Sequence, residues 1–97
     1  MVDVKKIVWA PKALEDLKTI HDFIALDNVD RARTFVREMI DRVEKLTRFQ
    51  KLGRVIPEIG ESRYRELIVG EYRVFHETLL REILIFRVFH SKRLFGI

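Results

Sequence analysis

Cysteine is absent, and histidine, glycine and proline are scarce. Without cysteine the fold has no disulfide and no thiolate metal site, so 97 residues must hold together by packing alone. The three histidines, His21, His76 and His90, stand far apart, and none sits at ligand spacing from another or from a carboxylate cluster; no metal and no cofactor is expected. With four glycines and two prolines there is no glycine-rich phosphate loop and no nucleophile elbow. No apolar run approaches the ~20 residues that span a bilayer. The opening MVDVKKIVWAPKAL carries Asp3, Lys5 and Lys6 where a secretory leader would be apolar. The cytoplasm is the expected setting, with no membrane partner.

What is present describes a single globular domain over residues 1–97. Hydrophobic residues make up 47% and charged residues 35% of the chain, too apolar for disorder and too charged for a membrane protein. The formal net charge is +4, and the last stretch, 83–97, holds Arg87, Lys92 and Arg93 with no acid. A basic end of this kind suits an acidic or polyanionic partner, or is a solvated tail.

Periodicity sets the element order. Residues 2–9 (VDVKKIVW) are rich in β-branched side chains and stop before Pro11, which suits the first position of a helix. Ala13, Leu17, Ile20 and Ile24 then recur at helical spacing, with Leu14 and His21 beside them. Asp27-Asn28 breaks the pattern. Asn28 is a good N-cap, and Ala32, Val36, Met39, Val43 and Leu46 form the stripe of a second helix. After a loop over 50–62, strands are expected at 63–69, 72–78 and 83–90, the first two joined by a tight Gly70-Glu71 turn. The expected fold is α+β: strand, helix, helix, then three strands, with an antiparallel helical hairpin packed on a mainly antiparallel sheet.

The strand arginines carry the functional question. A hairpin at Gly70-Glu71 puts Val69 opposite Tyr72, Leu67 opposite Val74 and Arg65 opposite His76, while Arg73 shares a face with Ile68 and Glu66. In a purely structural reading, Arg65 pairs with Glu77 or Glu66 and Arg73 with Glu66 or Glu71, each pair contributing ~1 kcal/mol or less. In a chemical reading, Arg65, Arg73, His90, Lys92 and Arg93 gather on a concave sheet face. There, guanidinium groups would grip phosphate and His90 would move a proton, as metal-free RNA cleavage requires.

Several stretches, in order, resemble the RelE/ParE superfamily of toxins from type II toxin–antitoxin modules. Trp9-Ala10-Pro11-Lys12-Ala13-Leu14-Glu15-Asp16-Leu17 is similar to its opening W-x-P-x-A-x-x-D-L. Leu52-Gly53-Arg54 with Ile56-Pro57-Glu58 is similar to its G-R-x-V-P-E loop. Arg65-Glu66-Leu67, Gly70 and Tyr72-Arg73-Val74 resemble R-E-L…G-x-Y-R-V, and Arg87-Val88-Phe89-His90-Ser91-Lys92-Arg93 resembles R-V-x-H-x-x-R. The resemblance implies a growth-inhibiting toxin held in check by a cognate antitoxin. In the RelE-like branch, which cuts messenger RNA on the ribosome, Arg73 and Arg93 would be catalytic with His90 as acid or base. No tyrosine follows Arg93, where that branch places one. The Gly53-to-Glu58 loop and the Arg-Glu-Leu strand look more like ParE, whose members poison DNA gyrase. Arg65, Lys92, Arg87 and Tyr72 are then the expected partner-facing residues, and the antitoxin is expected on the basic sheet surface. A non-toxic relative kept as a binding module is the third alternative.

Overall fold

The computed structural model describes residues 4–92. Strand β1 (Lys6–Trp9) leads into helices α1 (Pro11–Ala25) and α2 (Val29–Glu44), followed by two short 3-10 turns at Lys45–Thr47 and Gln50–Leu52. Strands β2 (Arg54–Val55), β3 (Tyr64–Val69), β4 (Tyr72–Thr78) and β5 (Glu82–His90) follow. The α+β order is the expected one, with β2 added inside the expected loop. The five strands form one sheet in the order β1-β5-β4-β3-β2, antiparallel except where β1 runs parallel to β5.

The helices start where local chemistry dictates. Pro11 opens α1 at a position whose N–H has no intrahelical acceptor. The side chain of Asn28 accepts a hydrogen bond from the Arg31 amide at 3.0 Å, capping α2, with Asp30 in its first turn. Ala13, Leu17 and Ile20 from α1 and Met39 and Val43 from α2 bury against Leu67, Val69, Val74, Ile83, Ile85 and Val88 of the sheet. Each fully buried aliphatic side chain of this kind contributes roughly 1.5–3 kcal/mol. Leu14 does not join them; it lies on the exposed side of α1.

The expected hairpin register is the observed one: Val69 faces Tyr72, Leu67 faces Val74 and Arg65 faces His76. Gly70 takes φ +58° in the turn, and a Cβ there would meet Phe35 at 3.2 Å. Between β4 and β5 the alternation breaks. Phe75 faces Arg87 but His76 faces Ile85, so Phe86 is an extra, bulged residue. The bulge lets Ile85 and Val88, three apart, both face the helices.

The opposite sheet face is covered as well. Ile56, Phe75 and Phe89 bury together with Ile59, Tyr64 and Phe86 around them, and Phe75 and Phe89 meet edge to face at 5.1 Å. The segment around β2 folds over this cluster, which is why Ile56 is fully buried.

One contact ties the two layers together. β1 pairs with β5 only as far as Ile85, leaving the Val88 amide at an unpaired edge. Asp16 on α1 accepts from that amide at 2.8 Å and from the Arg87 guanidinium at 2.8 and 3.3 Å. Asp16→Ala is expected to strand both donors and cost about 2 kcal/mol or more, lowering the melting temperature by roughly 8–16 °C. A thermal melt within a degree or two of wild type would remove Asp16 from this role.

Candidate functional site

Arg73 lies on the sheet face away from the helices, in the same cluster as Phe75. Its Nε donates to Glu66 at 2.5 Å, and Nη1 and Nη2 form a bidentate pair with Glu58 at 2.9 and 2.7 Å. Glu66, only 1% exposed, also accepts from Arg54 Nε at 2.6 Å. Two guanidinium and two carboxylate groups thus form a closed, charge-balanced chain. The Arg73 guanidinium holds the Glu58 carboxyl down at about 2, helped by the residue's own backbone N–H, and Glu58 in turn raises Arg73 further above its ordinary range. A cation so committed has little positive charge left to offer a phosphoryl group. Glu66 was among the expected partners of Arg73; Glu58 was not, because it reaches β4 from the loop across 15 positions.

His90 sits on the other face. Its ring lies edge-on to Tyr72 at 5.3 Å, its Nδ1 accepts from the Lys92 amide at 3.2 Å, and its Nε2 is 3.8 Å from Glu71. Arg73 and His90 are therefore separated by the sheet itself. Arg65 shares the helix-side face with His90 but stands at the far end of the hairpin, opposite His76. It pairs with neither Glu77 nor Glu66, contrary to expectation; its Nε and Nη1 donate to the carbonyls of Ser62 and Gly53 at 2.9 and 3.0 Å. Arg87 is bound to Asp16, Lys92 is exposed, and Arg93 lies outside the described residues. The fold does not gather Arg65, Arg73 and His90 on one surface.

A groove of about 720 Å³ does bring functional-looking residues together. It runs between the tip of the helical hairpin and the β3–β4 turn, lined by Phe23, Leu26, Phe35, Gly70 and Tyr72, with Asp27, Arg31 and Glu71 on its rim. A smaller hollow of about 180 Å³ shares Phe23 and Tyr72 and extends it to Asp16 and His90. Phe23 is 69% and Leu26 87% exposed, large apolar side chains left facing solvent beside one another. Tyr72 packs on Phe35 at 5.5 Å, and burial together with the nearby Glu71 charge pushes its phenol up. Tyr72 was an expected partner-facing residue. Phe23 and Leu26 were not, although Phe23 falls off the buried stripe of α1 and Leu26 sits where that helix ends.

At the other end of β4, His76 is fully buried, and neither ring nitrogen has a hydrogen-bond partner. Gly53 packs directly on it; a Cβ there would lie 2.7 Å from His76 Nε2 and 2.8 Å from the Glu66 carbonyl. Among the described residues no group of three or more His, Asp or Glu side chains is arranged to hold a metal ion, and no helix is long and apolar enough to cross a membrane.

Residues 7–95 match the family model for the ParE toxin of type II toxin–antitoxin system, parDE. Among solved structures, a chain of the chromosomal ParDE toxin–antitoxin system from P. aeruginosa superposes with a TM-score of 0.77 at 22% identity, over 93% of this chain and 99% of that one. A chain of the toxin–antitoxin complex RelBE2 from Mycobacterium tuberculosis superposes with a TM-score of 0.63 at 17% identity, over 93% of each. At those identities the structural likeness speaks for the fold. No curated protein sequence matches this one.

Burial, with the Arg65 charge adding to it, lowers the His76 imidazole to about 4. A folded-state value below the unfolded ~6.5 means that protonation favours the unfolded chain. This stability is complete above 6.5 and is lost as pH falls from 6.5 towards 4, about 2 kcal/mol between pH 7.5 and pH 5. His76→Leu should flatten that part of the profile in urea denaturation. Equal slopes for the two proteins would refute the assignment.

Proposed function

The chain belongs to the ParE toxin family of type II toxin–antitoxin systems, and from that premise we propose that it arrests growth in the cytoplasm by engaging a protein target, DNA gyrase, and not by cutting RNA. The observation that carries this reading is the state of Arg73. A ribonuclease of the RelE type would need that arginine to meet the scissile phosphate. Here it makes three hydrogen bonds to two carboxylates, and removing it from them would leave the buried Glu66 with the Arg54 guanidinium alone and Glu58 without its bidentate partner, a costly change for a buried carboxylate. The separation of Arg73 from His90 by the sheet argues the same way, since general acid–base work needs both within reach of one substrate. The groove supports a protein-binding role and suits the apolar face of a cognate antitoxin segment; solved complexes of similar fold are toxin–antitoxin assemblies. That site is apolar with a rim of both signs, unlike the basic surface expected from the sequence.

Brief induction in cells with labelled thymidine and methionine followed side by side tests the target. An early fall in thymidine incorporation with translation spared is the expected result. An early collapse of methionine incorporation would restore the ribonuclease reading, and no effect on either would leave a non-toxic binding module. For the groove, Phe23→Glu and Leu26→Asp alter exposed side chains and should not disturb folding. Each is expected to weaken antitoxin binding by about ten-fold or more in calorimetry, as loss of a central apolar anchor does. Unchanged affinity in both variants would place the antitoxin elsewhere.

A further inference from the structure

The turn between α1 and α2 presents an apolar tip to solvent. Phe23, Leu26 and Val29 are each more than half exposed there. The turn that carries them is fixed by its own hydrogen bonds. The amides of Asp27 and Asn28 both donate to the Ile24 carbonyl at 3.0 Å, the Leu26 amide donates to the Asp22 carbonyl at 3.2 Å, and Asn28 caps α2. Apolar groups on a backbone already ordered can be covered without the entropic cost of arranging a loop.

Beside these projecting groups lies the recess of the groove. Phe35 and Tyr72 wall it, and Gly70 leaves it open by having no side chain. One surface thus carries both the knobs and a hole. The rim charges follow the same logic. Neither Arg31 nor Asp27 has an ion pair among the described residues, and Glu71 has only His90, at 3.8 Å. One cation and two carboxylates border the recess without satisfying one another. A polyanion or an anionic membrane surface would meet more carboxylates than arginines here.

We propose that this face pairs with a second copy of the chain about a two-fold axis. Such a contact must complement itself, each residue of one copy meeting its counterpart's partner on the other. Phe23 and Leu26 of each copy enter the recess of the other, and Arg31 of each meets Asp27 and Glu71 of the other. The charge pairs therefore form twice. Confined to one helical turn and one hairpin turn, the patch is smaller than the ~800 Å² per partner of a standard interface, so the pair is weak, with a Kd on the order of 10–100 μM. The second copy and an antitoxin segment in this groove would exclude one another, but self-association itself does not depend on the antitoxin reading.

Sedimentation equilibrium of the purified full chain without antitoxin, from about 5 to 500 μM, spans that range. A monomer–dimer equilibrium is the expected result, and Leu26→Asp should weaken it about ten-fold or more. Arg31→Glu sets like charges against each other at both ends of the pair, and so does the double variant Asp27→Arg/Glu71→Arg. Each should be monomeric alone, while an equimolar mixture of the two should dimerise, because opposite charges then face each other at both ends. Only copies that meet through these residues behave so. A wild-type chain that stays monomeric throughout, dimerisation unaffected by Leu26→Asp or by Arg31→Glu, or a mixture no more associated than its components would overturn the proposal. All the altered residues are exposed, and matching thermal melts verify the fold. Antitoxin binding is read separately: a monomeric chain that still loses antitoxin affinity in Phe23→Glu leaves the groove reading standing, and a dimer whose antitoxin affinity is unchanged in Phe23→Glu and Leu26→Asp removes that reading alone.

Discussion

The buried charge of Glu66 is the constraint from which one whole side of the molecule follows. A carboxylate 1% exposed in the third strand is tolerable only if cations meet it, because the uncompensated cost of burial is several kcal/mol. Arg73 and Arg54 supply them. Arg73 has donors to spare and reaches outward to Glu58, which lies on the loop that carries β2. Arg54 on β2 reaches inward. The loop is thus pinned at two points, and Ile56 between them is pressed onto Phe75 and Phe89. Polar pairing and apolar burial reinforce each other here: the ion pairs hold the loop in place, and the loop excludes the water that would weaken the ion pairs.

That arrangement decides what the sheet face is free to do. Surface ion pairs contribute little, but this chain has its two inner members, Glu66 and Arg73, buried on neighbouring strands and its outer members, Arg54 and Glu58, on the segment that covers them, so its geometry is fixed. A phosphoryl group arriving at Arg73 would have to displace a bidentate carboxylate and then compete with Glu66. Arg65 at the other end of the hairpin is held differently. Carbonyl oxygens orient it but leave its positive field intact, and that field contributes to keeping the buried His76 neutral. Position on the same sheet therefore does not define one electrostatic surface. Partner chemistry, carboxylate or carbonyl, divides the arginines into structural and available ones.

Most of the fold was legible because it is written in local patterns. Helical stripes, Pro11 and Asn28 at helix starts, and Gly70 in the turn each act over a few positions, and the register of β3 with β4 follows from them. What was not legible depends on contacts between distant segments. Asp16 reads as an exposed helix acid until the unpaired edge of β5 is known. The extra residue Phe86 is invisible in a period-2 pattern, since it breaks that pattern only by comparison with β4. Glu58 reads as a loop acid until its segment folds over the sheet. Phe23 and Leu26 lie outside the buried stripe, and only the position of the hairpin tip beside Tyr72 makes them the wall of a groove.

The repeated Tyr-Arg dipeptide shows how topology overrides composition. Tyr64-Arg65 and Tyr72-Arg73 are eight positions apart, an even number, and in one continuous strand both arginines would share a face. The two-residue turn at Gly70-Glu71 makes Val69 and Tyr72 direct partners, so parity reverses across it. Tyr64 consequently packs edge to face with Phe86 on the covered side, while Tyr72 packs with Phe35 in the groove. The arginines exchange places in the same way, Arg73 towards Glu66 and Arg65 towards the helix-side face. One dipeptide thus serves two surfaces, and the assignment of either arginine to chemistry requires the turn between them. A single residue more or less in that turn would bring the two arginines to one face, removing Arg73 from Glu66 and leaving the buried carboxylate with Arg54 alone.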